Sequence, residues 1–143
     1  MRMNVTEWLE KVKKMDESID RKLKDKQALW DLATKITPEL SDMPHGTGVT
    51  DKVGNLSVKL VEIDQVINFM VDAYVDHRER VIGALELLYP KECGVLYRQY
   101  IEYKNTQDIA NEMGYCTRQV SRIRKNGLNH LKDVLECHGI PMV

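Results

Sequence analysis

Apolar residues at the start of the chain alternate in spacing between three and four positions. Residues 4–36 contain no glycine or proline, and the repeat runs through Val5, Trp8, Val12, Met15 and Ile19. This spacing keeps apolar side chains on one face of a helix, as in a coiled coil or a helical hairpin. It predicts a helix over residues 4–36 that ends close to Pro38, because proline lacks the backbone N–H that a continuing helix needs.

A second stretch, residues 56–88, repeats this spacing with a broader apolar stripe. The stripe consists of Leu60, Ile63, Ile67, Met70, Tyr74, His77, Val81, Leu85 and Leu88, widened by Val66, Phe69 and Ala73. A wide stripe packs against more than one neighbour. The pattern therefore predicts a long antiparallel helical hairpin, coiled-coil-like, with apolar surface left for a second copy of the chain or for another partner.

The segment between these two helices, residues 37–55, contains three of the eight glycines and two of the four prolines. We predict a loop here. The Gly46-Thr47-Gly48 sequence follows no predicted strand and precedes no Gly-Lys-Ser/Thr, so it does not indicate a nucleotide-binding loop.

The pattern changes after Leu88, which divides the chain into a predicted helical hairpin, residues 1–88, and a second domain, residues 89–143. Residues 91–103 predict a short amphipathic helix, and residues 106–125 have the pattern of a helix-turn-helix. Thr106 is expected to cap the first helix of this motif, and Gly114 to adopt the left-handed turn before the second. The predicted core of the motif is Ile109, Ala110, Met113, Gly114, Tyr115, Val120 and Ile123.

The outer face of the second helix is predicted to bind DNA. The candidate contact residues are Thr117, Arg118, Gln119, Ser121, Arg122 and Lys125. Arg118 and Arg122 are one turn apart, so both are placed to reach guanine edges in the major groove or phosphates. Thr117, Ser121 and Lys125 are expected to contact the DNA backbone.

The distribution of charge along the chain supports DNA binding by this face more than the net charge does. The formal net charge is −1 and the pI about 6.4, whereas dedicated nucleic-acid binders often have a pI above about 9. Residues 116–132, however, contain five basic residues and no acidic one. The chain therefore has one concentrated basic segment on the predicted DNA-reading helix.

The remaining chemistry argues against an enzyme. The four histidines are scattered, and the three cysteines form no CxxC pair, so neither a catalytic group nor a metal or cofactor site is predicted. No run of about 18 apolar residues indicates a transmembrane helix, and the first residues lack the apolar core of a signal peptide. We expect a protein of the cytoplasm with no membrane contact.

The segment from Leu88 to Leu135 resembles region four of sigma factors, in which a helix-turn-helix reads the −35 promoter element. The resemblance rests on Leu88–Ile101, Asp108-Ile109-Ala110, Gly114-Tyr115, Arg118-Gln119-Val120 and the later Leu128 and Leu131. Together with Leu40-Ser41-Asp42-Met43-Pro44-His45-Gly46, the whole chain resembles a phage and prophage family of Gram-positive hosts, the late-operon activators of the RinA and ArpU type.

The resemblance implies an all-α protein that binds double-stranded DNA as a transcriptional regulator in a bacterial host cell. The chain has no counterpart of the sigma segment that melts the −10 element, so activation would need host RNA polymerase, and tight binding would need a homodimer. One position departs from the family: Cys116 stands where serine usually caps the recognition helix, so Thr117 is expected to take over as cap.

Two other functions remain open from the sequence. The near-neutral charge also fits a helical interaction protein that does not bind DNA, such as a polymerase-remodelling or phage assembly factor. A small-terminase-like DNA packaging subunit would likewise join a helix-turn-helix to oligomerising helices, but in a ring.

Overall fold

The computed structural model describes the backbone of residues 3–42 and 47–142 and the side chains of residues 3–35 and 54–142. Over these ranges the chain is all-α, as predicted, with no strand. The helices are α1 (Val5–Asp42), α2 (Thr47–Leu85), α3 (Pro90–Leu96), α4 (Thr106–Met113) and α5 (Thr117–Cys137), with a single π-helical turn (Tyr97–Ile101) directly after α3. None of the described helices is both long and apolar enough to cross a membrane.

The two long helices extend further towards each other than predicted. α1 continues past Pro38 to Asp42 and α2 begins at Thr47, so the predicted loop is wrong for residues 37–42 and 47–55. The rest of that predicted loop, residues 43–46, lies outside the described residues. Adding a residue to an existing helix is far easier than starting a new one, so a long helix can tolerate one missing donor.

The predicted ends of the later helices also change. α2 ends at Leu85 rather than Leu88, because Leu87 N and Leu88 N bond to carbonyls only three residues back, at 3.2 and 3.0 Å. The predicted helix over residues 91–103 is observed as α3 followed by the π-helical turn, so the helical structure ends at Ile101. α5 has 21 residues and is much longer than the motif alone requires.

The chain forms two compact units, and these do not divide it where the hydrophobic pattern changes. Unit 1 consists of Met1–Met15 and Tyr74–Val143, and unit 2 of Asp16–Ala73. Both long helices are shared between the units. The physical reason lies in unit 1, where the first turns of α1 and the last turns of α2 pack with the C-terminal helices.

Unit 1 contains two apolar clusters. The larger consists of Val5, Trp8, Leu9, Val12, Val81, Ala84, Leu85, Leu96, Tyr100, Ile101, Leu131 and Leu135, so it joins α1, α2, α3, the π-helical turn and α5. The smaller has Val95, Ile109, Ala110 and Val120 at its centre. Val95 and Leu96 are neighbours in sequence but belong to different clusters, so α3 holds the two together.

His77 is buried in unit 1, with 3% of its surface exposed. Its Nε2 lies 2.9 Å from the carbonyl oxygen of Trp8, and the two rings meet edge to face with centroids 5.6 Å apart. Burial lowers the pKa of His77 below its usual value, more than the hydrogen bond to the Trp8 carbonyl raises it. The imidazole therefore acts as a hydrogen-bonded part of the core.

Unit 2 has a much smaller buried core. Among its described side chains, Ile19 of α1 and Ile67 of α2 are the buried hydrophobic ones. An ion pair of 2.6 Å between Lys26 Nζ and Asp64 Oδ1 links the two helices. Both side chains are 40% or more exposed, so this ion pair adds little stability.

Candidate nucleic-acid interface

α4 begins at Thr106, one residue earlier than a cap at Thr106 would allow. Asn105 has extended backbone angles (φ −83°, ψ 170°), and its side-chain oxygen accepts a hydrogen bond from Asp108 N at 2.8 Å. Thr106 is the first helical residue, so its predicted role as the cap is wrong. Asparagine is a better cap than threonine, and the side chain of Asn105 can reach the backbone N–H of Asp108, three residues further along.

A tight turn connects α4 to α5. Gly114 has φ 72° and ψ 30°, in the left-handed region that glycine enters without steric cost, and its N–H bonds back to Ala110 O. Only Tyr115 and Cys116 separate this glycine from Thr117, where α5 begins. The turn thus brings the start of α5 directly beside the end of α4.

Six of the seven residues predicted as the core of the motif lie together in this part of unit 1. The prediction is wrong for Gly114, which is exposed because it forms the turn. Ile109, Ala110 and Val120 are buried with Val95 of α3, and Met113, Tyr115 and Ile123 pack around them partly buried. Ala110 is 3% exposed, so its small side chain is buried in the same cluster as Val120 of α5. Sequence reasoning did not identify Val95 as part of this cluster.

The N-terminus of α5 has an unusual cap. Cys116 occupies the cap position with extended backbone angles (φ −82°, ψ 160°), and its side chain makes no capping hydrogen bond. Thr117 is the first helical residue, so the expected shift of the cap to Thr117 is wrong. The first amide groups of α5 therefore lack a side-chain acceptor from the cap residue.

The predicted contact residues occupy the first three turns of α5. Thr117, Arg118, Arg122 and Lys125 are exposed, whereas Gln119 and Ser121 are half-buried. Arg118, Arg122 and Lys125 follow one another by four and three residues, which places them within about 60° around the helix. Val120 and Gly127 are buried on the other side of the helix.

The charged groups of the π-helical turn, α4 and the segment between them are paired with one another, unlike those of the α5 face. Lys104 Nζ lies 2.5 Å from Glu112 Oε1 and 3.0 Å from Glu102 Oε2, and Arg98 Nε lies 3.9 Å from Glu112 Oε2. Hydrogen bonds to Glu112 and Glu102 raise the pKa of Lys104. In the part of the chain that the structure describes, Arg118, Arg122 and Lys125 make no ion pair.

Two contacts that hold α5 in place were not found from the sequence. Gly127 lies against α3, where an added Cβ would be 3.1 Å from Leu96 Cδ1 and 3.2 Å from Glu92 Cβ. One turn further along, His130 Nδ1 lies 2.6 Å from Oε1 of the buried Glu92. A glycine in a basic amphipathic helix is only a weak indication of close packing. The sequence around Gly127 does not indicate that α3 is its packing partner.

The structure offers no arrangement for metal chemistry in its described part. Among the side chains of residues 3–35 and 54–142, no three His, Cys, Asp or Glu residues are grouped so that they could hold a metal ion.

Comparison with known proteins gives no relative for this chain: no family model, no curated protein and no solved structure matches it.

Proposed function

We propose that this protein is a sequence-specific DNA-binding transcriptional regulator of phage or prophage type that uses α4, its turn and α5 as a helix-turn-helix. One observation carries the proposal. Arg118, Arg122 and Lys125 form an exposed cationic face on a helix whose other side is buried, and the described residues offer them no counter-charge.

The shape and chemistry of this face suit duplex DNA. The major groove is about 12 Å wide and admits an α-helix, and arginine binds guanine O6 and N7 through two hydrogen bonds. Arg118 and Arg122 take this role. Thr117, Ser121 and Lys125 contact phosphates, which position the helix along the groove.

Gln119 has a different role from the two arginines. It is half-buried and lies about 100° around the helix from Arg118, at the edge of the cationic face. From this position it contacts the DNA backbone at the edge of the groove.

The regulator acts as an activator together with host RNA polymerase, in the cytoplasm of the bacterial host where both DNA and polymerase are found. The resemblance of Leu88–Leu135 to region four of sigma factors supports this part of the proposal. No cofactor is needed, because reading a DNA sequence requires only side chains and backbone donors.

A helical interaction protein that does not bind DNA is the competing function, and the net charge of −1 favours it. The two functions differ in what they ask of Arg118 and Arg122. A DNA reader needs both guanidinium groups, whereas an interaction protein keeps its activity when a solvent-exposed arginine is truncated.

Selection from a pool of random duplex DNA tests the proposal. The purified full-length protein is compared with the double variant Arg118→Ala/Arg122→Ala, and a motif should be enriched by the wild type and lost by this variant. A matched control is Lys35→Ala/Arg80→Ala, which removes two exposed positive charges elsewhere and should enrich the same motif as the wild type.

The salt dependence of binding gives a second readout. Neutralisation of about four phosphates by basic side chains predicts a slope near −3.6 for the logarithm of the binding constant against that of the salt concentration. If both double variants select the motif equally well, α5 is not the reader. If no motif is enriched even with host RNA polymerase present, the interaction protein is the correct function.

A further inference from the structure

A cleft of about 430 Å³ lies between the start of α3 and the second and third turns of α5, both in unit 1. It is lined by Tyr89, Pro90, Lys91, Glu92, Ile123 and Asn126. None of these residues is among the predicted DNA contacts. The volume of the cleft is within the range of about 300–1,000 Å³ that is typical of ligand sites, so it is large enough for a sugar and a phosphate group.

The cleft lies along the same edge of α5 as Gln119. Asn126 follows Gln119 by seven residues, which places it two turns further along and within about 20° around the helix. Asn126 is also only about 40° around the helix from Arg122 and one turn beyond it. A helix in the major groove lies between the two DNA backbones, so a strand that passes Gln119 at the edge of the groove runs on to the cleft.

The rim of the cleft is positively charged. Lys91 is exposed and makes no ion pair with any described side chain. Glu92 is 7% exposed and its carboxylate lies 2.6 Å from His130 Nδ1, so it is shielded from an anion in the cleft. Lys91 on α3 therefore adds its charge to that of Arg122 and Lys125 on α5, and lysine binds a phosphate as a point charge.

Apolar side chains form the rest of the cleft and are held in place. The ring of Tyr89 is 70% exposed, yet it packs edge-on against the imidazole of His130 with centroids 5.8 Å apart. Pro90 is the first residue of α3, and Ile123 packs against the smaller apolar cluster. Apolar walls focus the field of a nearby charge. An apolar surface beside cations suits the DNA backbone, in which the apolar carbons of the sugars alternate with phosphates.

We propose that this cleft binds the sugar-phosphate backbone of DNA beside the bases that α5 reads, with Lys91 and Asn126 on a phosphate and the ring of Tyr89 against a sugar. The inference rests on the proposed function, because the cleft extends the same DNA-binding face. Lysine and asparagine side chains are common phosphate contacts, and such contacts fix the register of a reading helix without recognising a base. Lys91 thereby positions Arg118 and Arg122 along the groove.

The salt dependence of DNA binding by the full-length protein tests this contact. Each neutralised phosphate contributes about 0.9 to the slope of the logarithm of the binding constant against that of the salt concentration. Lys91→Gln should therefore make the slope shallower by about 0.9, and it should weaken binding at 0.1 M salt by about eightfold more than at 1 M salt. The loss should be equal for the selected motif and for a random duplex, because a phosphate contact reads no base. Lys91→Arg keeps the charge and should bind like the wild type, and Lys24→Gln, which removes an exposed lysine of unit 2, should leave the slope unchanged.

Uncharged positions in the DNA backbone locate the contact. Duplexes that carry the selected motif and a single methylphosphonate, placed at each backbone position in turn, are compared for wild type and Lys91→Gln. One position beside the motif should weaken binding by the wild type and have no effect on Lys91→Gln, because the two changes remove the same interaction. Asn126→Asp places a negative charge in the cleft, so it should weaken binding to the natural duplex more than to the duplex that is uncharged at this position. Unchanged helical circular dichroism shows that each variant folds.

Failure of this inference and failure of the proposed function give different results. A wild type that selects a motif while Lys91→Gln keeps the full slope overturns the inference and leaves DNA reading by α5 intact. A wild type that binds no DNA overturns both. Loss of activation with host RNA polymerase in Lys91→Gln, without any change in DNA binding, would assign the cleft to a protein partner instead.

Discussion

The carboxylate of Glu92, at the start of α3, accepts a hydrogen bond from the ring N–H of His130 on α5. His130 Nδ1 lies 2.6 Å from one carboxylate oxygen and 2.8 Å from the other. Glu92 is 7% exposed, and the ring of Tyr89 packs edge-on against the imidazole with centroids 5.8 Å apart. This contact joins two helices across 38 residues of sequence and helps to fix how α5 sits on α3.

Replacing His130 by alanine should lower the free energy of unfolding by about 1–3 kcal/mol, because it leaves a buried carboxylate without its partner. Glu92→Gln should cost less, since the amide oxygen still accepts the bond. Urea unfolding of both single variants and the double variant measures the coupling. The exposed His138 provides the control, and His138→Ala should leave the stability unchanged. Equal stability of wild type and His130→Ala would show that the contact contributes nothing.

Two helical glycines should respond in opposite ways to alanine. Gly83 is exposed with nothing within 4 Å of an added Cβ, so Gly83→Ala should stabilise by about 0.5–1 kcal/mol through helix propensity. At Gly127 the same Cβ would press on Leu96 and Glu92, so Gly127→Ala should destabilise by about 1 kcal/mol. Thermal unfolding of the two variants compares them directly. A gain in stability at both positions would mean that α3 and α5 are not closely packed at Gly127.

Restoring a capping residue should stabilise α5. Cys116 makes no side-chain hydrogen bond at the cap, and serine is among the preferred residues there. Cys116→Ser should therefore raise the free energy of unfolding by about 0.5–1 kcal/mol in chemical denaturation. Cys137→Ser serves as the control, because this exposed cysteine ends the helix and should change little. An unchanged stability in Cys116→Ser would show that solvent already satisfies these amides.

The free energy of unfolding should fall as the pH drops below 6.5, which is the ordinary pKa of histidine. Burial lowers the pKa of His77 in the folded state, so as the pH falls the unfolded chain takes up the proton first and is stabilised relative to the folded state. The contribution of neutral His77 to the free energy of unfolding is fully present above pH 6.5. It is lost progressively as the pH falls from 6.5 to the pKa of His77 in the folded state, and it amounts to about 1.4 kcal/mol for each pH unit between these two pKa values. Urea unfolding at pH 7.5 and 5.5 measures it. His77→Gln should show a smaller difference between the two pH values than wild type, and an identical difference would contradict the assignment.

The cap predicted for α4, Thr106, is one residue away from the observed cap, Asn105. Asn105 and Thr106 are both capping residues, and sequence reasoning chose the second, although asparagine is the stronger cap and Asp108 N lies three residues after it. The turn at Gly114 was easier to identify, because a glycine between two amphipathic segments has few other uses. Cys116 at the cap of α5 was not predictable from capping preferences, since the helix begins after it without a side-chain hydrogen bond.

What the sequence by itself determined is the local part of this protein: its all-α class, the helical stretches with their apolar faces, and the basic segment of α5. These follow from spacing within one or two turns of a helix. The tertiary structure alone decided that the ends of both long helices join the C-terminal helices in unit 1, that Gly127 lies against Leu96, and that Glu92 pairs with His130. Such contacts link residues far apart along the chain, and their free energy depends on the packing of whole helices, which no local spacing encodes.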